Sequence, residues 1–425
     1  VRLGHAHLAR SPPLPGEDRP WKRGLPFQSL LGTWSRKVAA PRSLVHDSSQ
    51  GDHVPNFLHT ADWQIGLKAI HVAAVADRVR SARLAAGRAV IAAANKAIVD
   101  AVIVAGDLFE DNLVQDRLVH EIVQVLAASK SPVYVLPGNH DPCSQDSVYR
   151  RASWKAAPQH VVLLEMSDPV HVPGADLILL AAPLSQRKGF KDPTLSLAPP
   201  PAGSAAVVGV AHGSLRIEGK YSPDDFPIPL DAAARTGVDY LALGHWHGQY
   251  IHEGRTAYSG AHEPTSFGEA NSGCALLVEI DGRGAIPRTE RIETGQLDWR
   301  AIELDVSAGP AAFALVRAQI DALTRPADTL VRIRAIGLCN DDVAAGFPAF
   351  EEELAAKVLF ARIERGDVPV AEAQGRLKQI AQSNPLVAAL LLDLVAGVTG
   401  GGAPPSAASL AARDLLGTLA LEVWQ

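Results

Sequence analysis

The chain has 425 residues, too many for one ordinary core, and a hydrophobic fraction of 47% that belongs to a folded protein; a large domain with smaller appendages is expected. Its formal net charge of −6 excludes a basic footprint over the whole molecule, so any nucleic-acid binding has to use local patches. Three cysteines, Cys143, Cys274 and Cys339, are odd in number and form no Cys-x-x-Cys pair, which argues against a disulfide framework or structural zinc and fits a reducing, cytoplasmic setting.

Residues 1–55 are rich in proline, arginine and glycine, show no sustained periodicity and read as a disordered extension. They lack the apolar stretch of a secretory signal, and because the chain starts at Val1, an over-extended gene start with Val54 as the true beginning is one hypothesis. From Asn56 onward, short apolar runs of β type alternate with longer helical patterns, the signature of a layered α/β fold. The β-type runs are Phe57–Thr60, Ala101–Ala105, Val133–Leu136, Leu177–Ala181, Ala206–Ala211 and Tyr240–Leu243. Apolar residues at three- and four-residue spacing predict helices over Ala76–Asp100 and Leu113–Ala128. Thr256–Ser259 and Ala275–Ile280 follow as strands of a later sheet. After a Gly-rich turn at Asp281–Gly284 the pattern is strand (Ala301–Val306), helix (Ala311–Leu323), strand (Leu330–Ala335), a compact βαβ unit. The remainder, from about Phe350, reads as helical, with a break at Thr399–Ser406. Its longest apolar run, Leu386–Val398, is interrupted by Asp393 and too short to span a bilayer, so no membrane segment is expected.

Polar residues gather where these strands end. Asp62 and Gln64 follow the first run, Gly106-Asp107 the second, Gly138-Asn-His-Asp141 the third, His212 the fifth and Gly244-His-Trp-His247 the sixth. In an open α/β sheet the carboxyl ends of the strands line one crevice, so residues far apart in sequence converge there. Carboxylates, amides and imidazoles without a thiolate suit a pair of divalent ions such as manganese, iron or zinc. Two metals roughly 3.5–4 Å apart need a shared ligand and clamp both the attacking and the leaving oxygen of a phosphoryl displacement; Asp107 is the natural bridge.

In this order the motifs resemble the five of the calcineurin-like metallophosphoesterases. More narrowly, His59-Thr-Ala-Asp-Trp-Gln-Ile-Gly66 resembles the opening of SbcD-type DNA repair nucleases. Tyr258-Ser-Gly260 and Ser266-Phe-Gly-Glu269 match the stretch those nucleases carry after their last metal histidines, and the βαβ unit is similar to their capping domain. The resemblance covers about residues 56–345. It implies a four-layer sandwich of two mixed sheets flanked by helices, with a metallophosphoesterase nuclease domain at 56–295, a βαβ capping domain at 296–345 and a helical C-terminal region at 346–425. It also implies a DNA nuclease, usually manganese-dependent, that works in DNA repair with an SbcC-type coiled-coil ATPase docked on the C-terminal region, homodimerisation being left open. By the same carry-over, one metal is held by Asp62, Gln64, Asp107 and His247, and the other by Asp107, Asn139, His212 and His245. His140 then resembles the acid that protonates the leaving oxygen, with Asp141 orienting its ring.

Gln64 departs from the histidine expected there, and a neutral amide oxygen is a poorer donor for late first-row ions than imidazole. His59 reads as a packing residue, His71, His120, His160, His171 and His252 as solvent-facing, and His262 as a candidate substrate contact beside the metal motif. Phe267 reads as core. Arg150-Arg151 with Lys155 and Arg187-Lys188 with Lys191 are basic clusters, ordinarily solvated faces and otherwise phosphate contacts. Two rivals stand beside the nuclease reading: a phosphoesterase acting on nucleotides or small phosphodiesters, and a catalytically weakened structural subunit of a DNA repair ATPase complex, for which Gln64 and the acidic balance speak.

Overall fold

A computed structural model describes residues 53–365 apart from 338 and 340; the N-terminal extension before residue 53 and the helical, partner-docking region expected beyond residue 365 lie outside the described residues. In chain order, β1 (Asn56–Thr60), α1 (Ala76–Ala97) and β2 (Ala101–Val104) are followed by α2 (Asp116–Ala127), β3 (Val133–Val135), α3 (Ala152–Lys155) and β4 (Val161–Leu163). Next come β5 (Val170–His171), β6 (Leu177–Ala181), β7 (Ala206–His212), α4 (Ala232–Thr236), β8 (Tyr240–Gly244), β9 (Tyr250–His252) and β10 (Thr256–Tyr258). Then follow β11 (Cys274–Glu279), β12 (Arg288–Glu293), β13 (Asp298–Asp305), α5 (Ala311–Asp321), β14 (Thr329–Ile336), α6 (Asp341–Lys357) and β15 (Phe360–Glu364).

Two six-stranded mixed sheets, ordered β12-β11-β1-β2-β3-β4 and β5-β6-β7-β8-β10-β9, form the body. Strands β1 to β4 run parallel, as do β6, β7, β8 and β10, which is what crossover connections require. The alternation along β2 assigns the layers. Ala101 and Ile103 pack with Leu179, Val208 and Tyr240 of the facing sheet, whereas Val102 and Val104 pack with Val90 and Ile91 of α1 and Ile122 and Leu126 of α2. Beyond the second sheet, Leu241 and Leu243 pack with Ala232 and Ala233 of α4. Helix, sheet, sheet and helix are the four layers expected, and burial on both faces explains why the strands read as unbroken apolar runs.

The third sheet, β13-β14-β15, is parallel and packs Leu304, Val331 and Ile333 against Phe313 and Val316 of α5 and Phe347 and Phe350 of α6. The expected boundary at 345 falls inside α6, and Phe360–Glu364, expected as helix, is a strand. That strand exists through its pairing with β14, a contact far along the chain that local periodicity does not carry. This sheet rests on the body at a small apolar seam, where Phe267 meets Trp299 edge-on at 4.8 Å and Val72 and Val79 pack with Leu297 and Leu330. The Arg78–Asp328 ion pair lies beside it. No helix among the described residues is long and apolar enough to cross a membrane.

Candidate metal centre

The loops that leave β1, β2, β3, β7 and β8 meet at one end of the sandwich, and their backbone is strained. Asp62, Gln64, Asp107 and His245 all have positive φ, at 56°, 40°, 54° and 107°, in a region that side chains other than glycine rarely occupy. Hydrogen bonds between the first two loops hold this geometry: Asp62 N–H donates to Gly106 O at 3.1 Å, Gln64 N–H to Asp107 O at 2.8 Å and Ile65 N–H to Leu108 O at 3.0 Å. Glycine is required beside the donors by close approach. A Cβ on Gly106 would lie 2.1 Å from His212 Nδ1, and one on Gly138 would lie 2.1 Å from Asp107 Oδ1.

Asp62, Asp107 and His212 each bring a donor atom within 4.8 Å of the others, and all three are buried. His212 Nε2 lies 3.3 Å from Asp107 Oδ2 and 2.8 Å from Asn139 Oδ1, which is also 2.9 Å from His245 Nδ1. Asp107 Oδ1 accepts from the His140 N–H at 2.9 Å, so the carboxylate faces both sides of the cluster. Asp62 accepts from the His245 N–H, with its oxygens at 2.9 and 3.1 Å. Asn139, His140, His245 and His247 are half-buried, so the cluster is closed by Asp62, Asp107 and His212 and opens on their side.

Each histidine has one ring nitrogen occupied by an acceptor, leaving the other for a cation. His212 Nδ1–H donates to Ala105 O at 2.9 Å, freeing Nε2. His245 Nε2–H donates to Asp225 at 2.9 Å, freeing Nδ1, and Ser214 in turn donates to Asp225 at 2.7 Å. His247 Nδ1–H donates to Glu269 at 2.8 Å, and Glu269 also accepts from Thr265 N–H at 2.7 Å. Acceptors of this kind fix tautomers and raise the basicity of metal-bound imidazoles. The carboxylates are tuned by their neighbours. Burial raises Asp107, but the charge and hydrogen bond of His212 outweigh it and hold Asp107 below the usual carboxylate range. Burial lowers His212, and Asp107 pushes it the other way, up to about 9, so a cation entering the cluster would replace the proton on Nε2. Asp62 is raised, chiefly by burial, against the pull of His212 and His247. A cluster of two buried carboxylates, an amide oxygen and the imidazoles of His212 and His245 fits divalent cations.

Several residues stand otherwise than expected. Asp141 does not orient His140: its oxygens accept from Gly138 N–H at 2.8 Å, Phe109 N–H at 2.9 Å and Tyr149 O–H at 2.5 Å. The His140 ring is held instead through Nδ1 by the Glu110 backbone carbonyl at 2.9 Å. Asp141 is therefore the brace of the Gly-Asn-His-Asp turn. His262 is fully buried, stacked on Trp63 at 4.8 Å with Nε2 2.8 Å from the Arg83 carbonyl, so it is no substrate contact. Gln64 is buried beside the cluster, but its side chain makes no hydrogen bond to the other donors among the described residues. Phe267 is core, as expected.

Arg83, Asp225 and Glu269 escape a reading by strand ends. Arg83 is 1% exposed and donates to the backbone carbonyls of Asp62, Trp63 and Glu263, clamping the first metal loop to α1. Its signal is an arginine on the apolar face formed by Val79, Ala82, Ala86 and Val90. Asp225 lies in a loop with no motif around it, whereas Glu269 belongs to the stretch already singled out.

Residues 55–249 match the family described as calcineurin-like phosphoesterase. A relative described as DNA double-strand break repair protein Mre11, from Aeropyrum pernix, is 28% identical over 290 residues, which is 62% of this chain and 66% of the relative, just under two thirds of its length. A solved structure, that of TT1561 from Thermus thermophilus, covers 56% of this chain and 99% of its own at 11% identity and a TM-score of 0.34, too weak a superposition to bear on the fold. Strand-end placement of the motifs, the buried Asp62–Asp107–His212 group and the family match agree: residues 55–249 are similar to the calcineurin-like phosphoesterases.

Proposed function

We propose that the chain is a two-metal phosphodiesterase acting on DNA, working as the nuclease subunit of a repair complex with an SbcC-like coiled-coil ATPase. The observation that carries the chemistry is the convergence of Asp62, Asp107, Asn139, His212 and His245 with the imidazole tautomers already set. The similarity to a double-strand break repair protein favours DNA as the substrate.

Asp62 and His247 would hold one ion, with Gln64 completing that side; Asn139, His212 and His245 would hold the other; Asp107 would bridge. When bound, the ions would supply charge to the phosphoryl oxygens and activate water as the nucleophile, and manganese suits a donor set rich in oxygen. The remaining work falls to the chain. The Glu110 carbonyl holds Nδ1–H of His140, so Nε2 is the atom that hands a proton to the leaving sugar oxygen. Asp141, through its three hydrogen bonds, keeps the turn that carries Asn139 and His140 in place. The half-buried side formed by Asn139, His140, His245 and His247 is where the phosphodiester enters.

A phosphoesterase for nucleotides or small phosphodiesters is the second reading, favoured by the net charge of −6. Purified protein with manganese, offered linear DNA and a small phosphodiester in separate reactions, separates the two. The nuclease reading expects DNA degradation that EDTA stops; hydrolysis of the small ester with intact DNA would overturn it.

A further inference from the structure

The segment Leu184–Lys191 ties two of the metal-centre loops together. At one end, Leu184 N–H donates to Pro137 O at 3.2 Å and Cys143 N–H donates to Leu184 O at 2.8 Å, fastening it to the turn that carries Asn139 and His140. At the other end, Gly189 N–H donates to Asp224 O at 2.9 Å and Phe226 N–H donates to Gly189 O at 2.8 Å, fastening it on both sides of Asp225, the acceptor for His245. A Cβ on Gly189 would lie 2.3 Å from the Phe226 ring, so the second anchorage needs glycine. The segment therefore arches along the open side of the centre.

Its crest is basic and aromatic. Arg187, Lys188 and Lys191 are exposed, and Phe190 between them is 75% exposed, which is unusual for so large an apolar side chain. Arg187 reaches back to the His140 carbonyl at 3.4 Å, and Lys188 pairs with Asp224 at 2.7 Å. No acidic residue interrupts the run from Ser185 to Lys191, and Asp192 just after it is buried and paired with Arg235. In a chain of net charge −6, this is a local positive feature placed against the proposed proton donor.

Cations interleaved with an exposed aromatic ring are the means by which proteins hold single-stranded nucleic acid: the ring stacks on a base and the cations take the phosphates. A ring can stack only on a base whose face is open, so paired, stacked bases inside a duplex are poor partners. The geometry points to Leu184–Lys191 as a strand-holding arch that receives an unpaired DNA end beside the metal centre, with Phe190 stacking on a base and Arg187 and Lys191 on the backbone. This rests on the DNA reading above and names its substrate as an end with unpaired nucleotides.

The test is fluorescence anisotropy of the full chain in EDTA, where binding is read without cleavage, using one duplex blunt and the same duplex carrying a short single-stranded extension. Wild-type protein should prefer the extended duplex. Phe190→Ala should remove that preference and weaken binding to the extended duplex about tenfold, or 1.4 kcal/mol, within the range for one stacked base. Phe190→Tyr should restore it, and Arg187→Gln should flatten the dependence of log affinity on log salt by about 0.7. Thermal midpoints should stay with the wild type. Equal preference in wild type and Phe190→Ala, or a lowered midpoint that explains the loss, overturns the arch. Wild-type protein that degrades DNA but shows no preference overturns the arch alone, whereas protein that neither binds nor cuts DNA overturns the DNA reading with it.

Discussion

At the scale of single residues, the proposed centre would combine tight and weak donors. Asn139, His212 and His245 meet at 2.8–2.9 Å, while Gln64, a buried neutral amide, is the donor proposed for the Asp62 side. Metal titration should therefore show two unequal affinities, and Gln64→His should narrow the gap and improve zinc binding; an unchanged metal profile would remove Gln64 from the ligand set. The acceptors behind the imidazoles carry a second prediction. Asp225→Asn should weaken the affinity of the His245 side about 10- to 100-fold, because the amide no longer enforces Nε2–H. Calorimetry showing wild-type affinity would refute that role. Asp141→Asn should act differently. It gives up charge-assisted acceptance from Gly138, Phe109 and Tyr149, so the free energy of unfolding should drop by about 1–3 kcal/mol in a denaturant titration. The donors themselves were legible because each follows an apolar strand; the partner of the His140 ring was not, since a backbone carbonyl leaves no mark in sequence.

At the scale of elements, apolar runs located the inner strands of the body to within a residue or two, and the Gly-Asp, Gly-Asn-His-Asp and Gly-His-Trp-His turns located the loops. The edge strands β4, β5, β9 and β12, and β15 in the third sheet, were not legible. β4, β5 and β9 are two or three residues long and carry no period, β12 (Arg-Thr-Glu-Arg-Ile-Glu) holds no apolar run, and β15 is defined by its pairing with β14. The join between body and third sheet has its own chemistry. Glu263, fully buried near Arg83, accepts from Leu297 N–H at 3.0 Å and from Gln296 N–H. Burial pushes its carboxyl up from 4.5 to about 7 against those donors and the Arg83 charge. A carboxyl raised in the folded state contributes its full stability below the unfolded value, and that contribution is lost as pH rises through about 7. Stability should therefore decline from this group between about pH 4.5 and 7, and Glu263→Gln should flatten that part of the profile. Unfolding midpoints measured across this range check it; an identical slope in the variant would assign the pH dependence elsewhere.

At the scale of the whole molecule, a four-layer body carries the chemistry at one end, and the third sheet is held against it by the Phe267–Trp299 seam and the Arg78–Asp328 pair. With a net charge of −6 spread over the chain, the chemistry depends on local features: the closed Asp62–Asp107–His212 cluster, the half-buried His140 at its opening, and the cations nearby. The central proposal is that this cluster would hold divalent metals for hydrolysis of a DNA phosphodiester and that His140 would protonate the leaving oxygen. Metal content and cleavage of linear DNA, measured on the same samples of wild-type protein and His140→Ala in manganese, test it most directly. The expected result is the same two metal equivalents in both proteins, with cleavage lowered about 10²- to 10⁴-fold in the variant. Parallel loss of metal and cleavage in His140→Ala, or a wild-type protein that holds both metals and leaves DNA intact, would contradict it.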